Sequence, residues 1–171
     1  MKILRLDRYG SRPALMADSC LRPDRRPLFL PEDFEVECSL RPALRIDRLG
    51  KCIAPQFAMR YIGAWSIVNY TRPVGENAEA DPDMADDALV QGTWLPLPDG
   101  PVTAETPQGA LTFVPQPEQW SEVLAALSRH STFKTGDMLV LPAPLPPYRP
   151  RIDTHFVVSL GGEPILQFNI K

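Results

Sequence analysis

Two glutamates one residue apart, Glu35 and Glu37, are the part of this sequence most suited to chemistry. They sit in an alternating stretch where Phe34, Val36, Cys38 and Leu40 are apolar and Glu35, Glu37, Ser39 and Arg41 are polar. A period of two marks a strand with one buried face. It puts both carboxylates on the opposite face, about 6.6 Å apart along the chain. Carboxylates held that close repel each other, and a hard divalent cation between them is one reason to tolerate it. A solvated strand face explains the same alternation with no ion, so the spacing leaves both readings open.

The remaining reactive side chains have simpler explanations. His155 has the near-neutral pKa of a general base, but a lone histidine on a strand reads first as a surface or packed residue. The only other histidine, His130, falls at a helix end. Cys38 follows the apolar parity of its strand and is expected in the core. Cys52 lies beside Lys51, yet neighbours in a strand point to opposite faces, which argues against an activated thiol. With Cys20 the cysteines number three and form no C-x-x-C pair. That predicts reduced thiols in a cytoplasmic setting rather than a disulfide framework or a zinc site. Arg22, Arg25 and Arg26, punctuated by Pro23 and Pro27, read as a solvated basic loop.

Several short elements must position these groups. The parity of the Glu35–Glu37 strand continues through Leu44 and Ile46, so it is expected to run past Pro42 at a bulge or edge position. Residues 2–6 form a short first strand. Pro55 opens a helix whose apolar stripe is Phe57, Tyr61, Ile62 and Trp65. Residues 65–71 read equally well as a strand, and periodicity does not fix the switch. Residues 73–87 carry Gly75, Pro82 and six acidic side chains, which predicts a mobile, solvated loop. A strand over 111–114 precedes a second helix opened by Pro117, with Trp120, Val123, Leu124 and Leu127 at helical spacing. Thr135-Gly136-Asp137 turns into an apolar strand over 138–141. The C-terminal part is a hairpin, 154–160 and 165–170, around Gly161-Gly162.

The bulk properties fit this layout. The chain has 171 residues, the size of one domain. Twenty prolines limit helix content, and the expected class is α+β, mainly β, with two short helices. A net charge of −3 argues against a nucleic-acid partner. No apolar run reaches the roughly 20 residues a membrane helix needs, and the charged opening residues do not form a secretion signal.

Four segments in order resemble the catalytic domain of the fumarylacetoacetate hydrolase family. They are Phe34-Glu35-Val36-Glu37, Leu44 to Lys51 ending in Gly-Lys with Ala58-Met59-Arg60-Tyr61 beyond it, Thr132-Phe133-Lys134-Thr135-Gly136-Asp137, and the terminal hairpin from Gly162-Glu163 to Lys171. The resemblance covers residues 31–171, with 1–30 as a short N-terminal strand and loop segment. It implies a mixed β-roll or β-sandwich, a homodimer, and Mg²⁺ or Mn²⁺ acting on 2-oxo or 1,3-diketo acids. It carries metal binding onto Glu35 and Glu37 and implies a small oxo-acid as ligand.

The rest of the family pattern is altered. Its third carboxylate falls on Tyr70, or on Asn69 if the register slips. Its lysine falls near Ala88-Leu89-Val90-Gln91, its threonine loop on Leu141-Pro142-Ala143-Pro144, and its lid histidine near Arg8-Tyr9-Gly10, with no histidine following. The expectation is a remnant metal site with weak or no family activity. An active Mg-dependent hydrolase or decarboxylase is one alternative, and a non-catalytic structural or subunit-pairing protein is another.

Overall fold

The alternation around Glu37 becomes strand β4, Val36–Ile46, in a computed structural model that describes residues 1–33, 35–75 and 83–171. Phe34, at the head of that alternation, lies outside the described residues, and so do residues 76–82 of the acidic stretch. Strand β4 runs through Pro42 without a break. The Pro42 carbonyl accepts from Leu141 N at 2.8 Å, on the side where the neighbouring strand β9, Met138–Val140, has just ended. The N–H that proline lacks would face the Leu141 carbonyl, which lies 3.5 Å from Arg41 Nη1 instead.

The partner of β4 along its whole length is β5, Ile62–Pro73, antiparallel, with Glu37 opposite Arg72, Ser39 opposite Tyr70 and Arg41 opposite Val68. Around this pair a seven-stranded sheet is ordered β2-β1-β9-β4-β5-β6-β3. Its other members are β1 Ile3–Arg5, β2 Ala14–Met16, β3 Leu21–Pro23 and β6 Leu89–Gln91. A four-stranded sheet follows, ordered β11-β10-β7-β8, from β7 Val102–Thr106, β8 Gly109–Phe113, β10 Thr154–Leu160 and β11 Glu163–Ile170. The class is mainly β with two short helices, as expected.

Helix α2, Pro117–Ser128, buries Trp120 and Leu124 as its spacing predicts. Helix α1 is shorter than its stripe suggested. It covers only Pro55–Ala58, tightens into a 3₁₀ turn over Met59–Tyr61, and gives way to β5 at Ile62. Ile62 and Trp65 are therefore strand residues, and Phe57 is exposed. Burial of the β-branched and aromatic run on both sides of β5 prevailed over the helical spacing that precedes it.

Both faces of the β4–β5 pair are covered. One face joins the second sheet and α2 in a core where Trp65, Phe113 and Trp120 stack with ring centroids 4.3 and 5.7 Å apart. The other carries a smaller cluster of Ile3, Met16, Cys20, Ala43, Val68, Tyr70 and Val140. Cys38 is fully buried, as its parity predicts. The alternation reads Ser39 and Arg41 as a polar face, but that face is packed over, and both are buried.

Two loop readings are corrected by the fold. Arg22 is buried and lies on β3, donating to the Pro27 and Arg26 carbonyls of its own segment. Asp83, counted among the solvated acids, is buried as well.

Candidate functional site

The two glutamates sit differently. Glu35 precedes β4, and its side chain is 67% exposed and paired with Arg149 at 2.5 Å. Glu37 lies on the strand at 24% exposure and is paired with Arg72, its cross-strand partner, at 3.1 Å. Each carboxylate therefore has its own guanidinium, which relieves the repulsion that suggested a cation. The arginines come from β5 and from the proline-rich segment after β9, 35 and 114 residues away in sequence.

Tyr70, where the resemblance puts a third carboxylate, is level with Ser39 rather than with either glutamate. Its hydroxyl donates to Asp83 Oδ1 at 3.1 Å. Arg5 and Arg41 lie against its ring, 4.7 and 5.3 Å from the centroid. Burial pushes the Tyr70 phenol well above its ordinary pKa, although the charge of Arg5 pulls it back. The group is a neutral hydroxyl, a poor ligand for a hard cation. Asn69 is buried on the opposite face, where its Oδ1 accepts from Tyr148 at 2.7 Å.

The arginines tie this face together. Arg5 donates through Nε and Nη2 to both oxygens of Asp83, each at 2.9 Å. Burial works against its charge, yet the Asp83 hydrogen bond and the surrounding anions leave its pKa above the ordinary value. Arg41 donates to Ser39 Oγ at 3.2 Å and to the Leu6 carbonyl at 2.9 Å. Its pKa is lowered, first by burial and then by the like charge of Arg5. Both guanidiniums also reach Oδ1 of Asp7, from Arg5 Nη1 and, at 3.2 Å, from Arg41 Nη2.

The donor set does not fit the resident catalytic ion that the resemblance implies. Among the described residues no group of three or more His, Cys, Asp and Glu side chains is placed to hold a metal. An ion beside Tyr70 would face two guanidiniums. The lone histidines are peripheral: His155 is exposed with its Nδ1 2.8 Å from Asn169 Oδ1, and His130 is exposed beyond the end of α2. Leu141-Pro142-Ala143-Pro144 lines a cleft of about 310 Å³ with Tyr9, Thr112, Phe113 and Gln116.

The Arg5–Asp83–Tyr70–Arg41–Asp7 network was not legible beforehand. Arg5 and Asp83 are 78 residues apart and share no motif. The one available signal was Arg41, a charge in the middle of a strand otherwise suited to a core.

No protein-family model matches the chain, and no curated protein does. Solved structures do. A 5-carboxymethyl-2-hydroxymuconate delta-isomerase from Mycobacterium smegmatis superposes with a TM-score of 0.78 at 14% identity, over 99% of this chain and 78% of that one. A Yersinia pestis CO92 protein assigned to the fumarylacetoacetate hydrolase family gives 0.74 at 14% identity, over 99% and 92%. Maleylpyruvate hydrolase from Sphingobium sp. SYK-6, in complex with manganese(II) and pyruvate, gives 0.76 at 13% identity, over 99% and 69%. The chain has the fumarylacetoacetate hydrolase fold. Identities this low show the fold alone, so function rests on the side chains.

Proposed function

We propose that this chain is a fumarylacetoacetate-hydrolase-fold protein without metal-dependent turnover, retained to bind a small oxo-acid. The observation that carries the reading is the position of Tyr70, a neutral hydroxyl between Arg5 and Arg41 where the resemblance expects a metal-binding carboxylate. Glu35 and Glu37 then hold a divalent ion only loosely, with water completing the shell, because Arg149 and Arg72 compete for the same oxygens. Among the described residues, the altered positions near Tyr9, Ala88 and Leu141 supply no base or acid poised over such an ion. An oxo-acid ligand is supported by the fold shared with a hydrolase that holds pyruvate.

The test is turnover of an acylpyruvate and of oxaloacetate, with Mg²⁺ or Mn²⁺, against a blank without protein. No rate above the blank is expected. In parallel, Mn²⁺ titration should give dissociation constants on the order of millimolar or weaker, and Glu37→Gln should weaken them further. Turnover above the blank that Glu37→Gln abolishes would overturn the reading.

A further inference from the structure

Asp7 is an unusual partner for two buried cations. The side chains of Arg5 and Arg41 are 10% and 11% exposed, whereas that of Asp7 is 63% exposed. Both guanidiniums converge on one oxygen, Oδ1, and Oδ2 has no partner among the described residues. Asp83 already engages Arg5 through Nε and Nη2, so the groups turned outward are Arg5 Nη1 and Arg41 Nη2. Arg5 uses its bidentate fork on Asp83, so what faces Asp7 is one N–H from each of two guanidiniums, a pair of charged donors suited to a carboxylate oxygen.

We propose that Asp7 is a placeholder, and that the Arg5–Arg41 pair is the docking point for the carboxylate of a small acid that displaces it. This rests on the reading of the chain as an oxo-acid binder. Asp7 can leave because its side chain is already mostly hydrated, and the two nearly buried guanidiniums it uncovers are what an incoming carboxylate would neutralise. The arginines cannot follow it. Arg41 is fixed by Ser39 and by the Leu6 carbonyl, and Arg5 by Asp83, so a vacated position keeps its shape and its positive charge. An incoming carboxylate replaces one anion with another, and the local charge is conserved.

Ser39 gives the position a preference among acids. Its Oγ accepts from Arg41 Nε, and its own proton has no partner among the described residues. Ser39 is also buried, on the same strand face as Arg41. A 2-oxo oxygen beside the carboxylate is an acceptor that this hydroxyl can serve, so a 2-oxo acid should bind ahead of a plain carboxylic acid of the same size.

The experiment is calorimetric titration with pyruvate, and with propionate for comparison, in the presence of a chelator. The proteins are wild type, Asp7→Asn and Asp7→Asn/Arg41→Gln. Asp7→Asn keeps the side-chain size and should bind pyruvate at least tenfold more tightly than wild type and more tightly than propionate. The Arg41→Gln exchange should abolish that gain. Equal affinity in wild type and Asp7→Asn, or a gain that survives loss of Arg41, overturns the proposal. Should the double variant not fold, NMR of the Arg Nε–H signals in wild type decides, because saturating pyruvate must shift Arg5 and Arg41. The chelator removes any metal, so this outcome is independent of the turnover assay.

Discussion

Tyr70 donates its hydroxyl to Asp83 at 3.1 Å, and the same carboxylate oxygen accepts Nε of Arg5 at 2.9 Å. A neutral phenol and a buried ion pair thus share one acceptor on the strand face where the resemblance puts the family's third carboxylate. The face is closed by internal charge pairing, and its members differ greatly in what each contributes.

Removing the Tyr70 hydroxyl with Tyr70→Phe should cost about 1 kcal/mol, one hydrogen bond whose acceptor stays engaged by Arg5. Asp83→Ala should cost about 3–5 kcal/mol, because it leaves the nearly buried Arg5 without its bidentate partner. Urea unfolding of the two variants checks the order, and equal losses would mean that the ion pair is not the main support.

Alkaline pH should destabilise the fold through its tyrosines. Burial raises the pKa of Tyr70 and Tyr148 well above the usual value near 10, and raises Tyr9 as well. A raised folded pKa means that the unfolded chain gives up its proton first. The contribution is complete below about pH 10 and is lost as pH rises beyond it. Phenolate absorbance should therefore lag a free-tyrosine curve in the native protein and then rise together with loss of circular dichroism. Ionisation of all four tyrosines near pH 10 in the folded state would contradict this burial.

Gly92 should tolerate no side chain. It follows β6 where the two sheets meet, with Gly92 N donating to the Ile67 carbonyl and Thr93 N to that of Ile165. A Cβ there would stand 2.4 Å from the Ile165 oxygen and 2.8 Å from the Ile67 oxygen, both backbone atoms that cannot swing away. Gly92→Ala should cost roughly 2–3 kcal/mol, read as a lower thermal midpoint. Gly100→Ala, with open space around the added methyl, serves as the neutral control.

How far the sequence reached can be argued residue by residue. The parity from Val36 to Ile46, the Pro117 helix start and the Gly161-Gly162 hairpin all formed where local pattern put them. Strands β2, β3 and β6 have three residues each, too few for a period to be seen, and they exist because neighbouring strands supply their hydrogen bonds. At the site, the sequence identified Glu35, Glu37 and Tyr70 as the positions to inspect. It could not show that Arg149 and Arg72 take the two glutamates, because those pairs join segments brought together only by folding.

The sequence by itself determined the elements with a visible period, the order of four family-like segments and a tyrosine, Tyr70, where the resemblance puts a carboxylate. These are local properties, carried by neighbouring residues and their side-chain alternation. Tertiary structure alone decided that Ser39 and Arg41 on the polar face of β4 are buried, that Asp83 crosses to Arg5, and that Asp7 faces two guanidiniums. Charge pairing depends on distance in space, and a strand pattern fixes which face a side chain takes but not what is packed against that face.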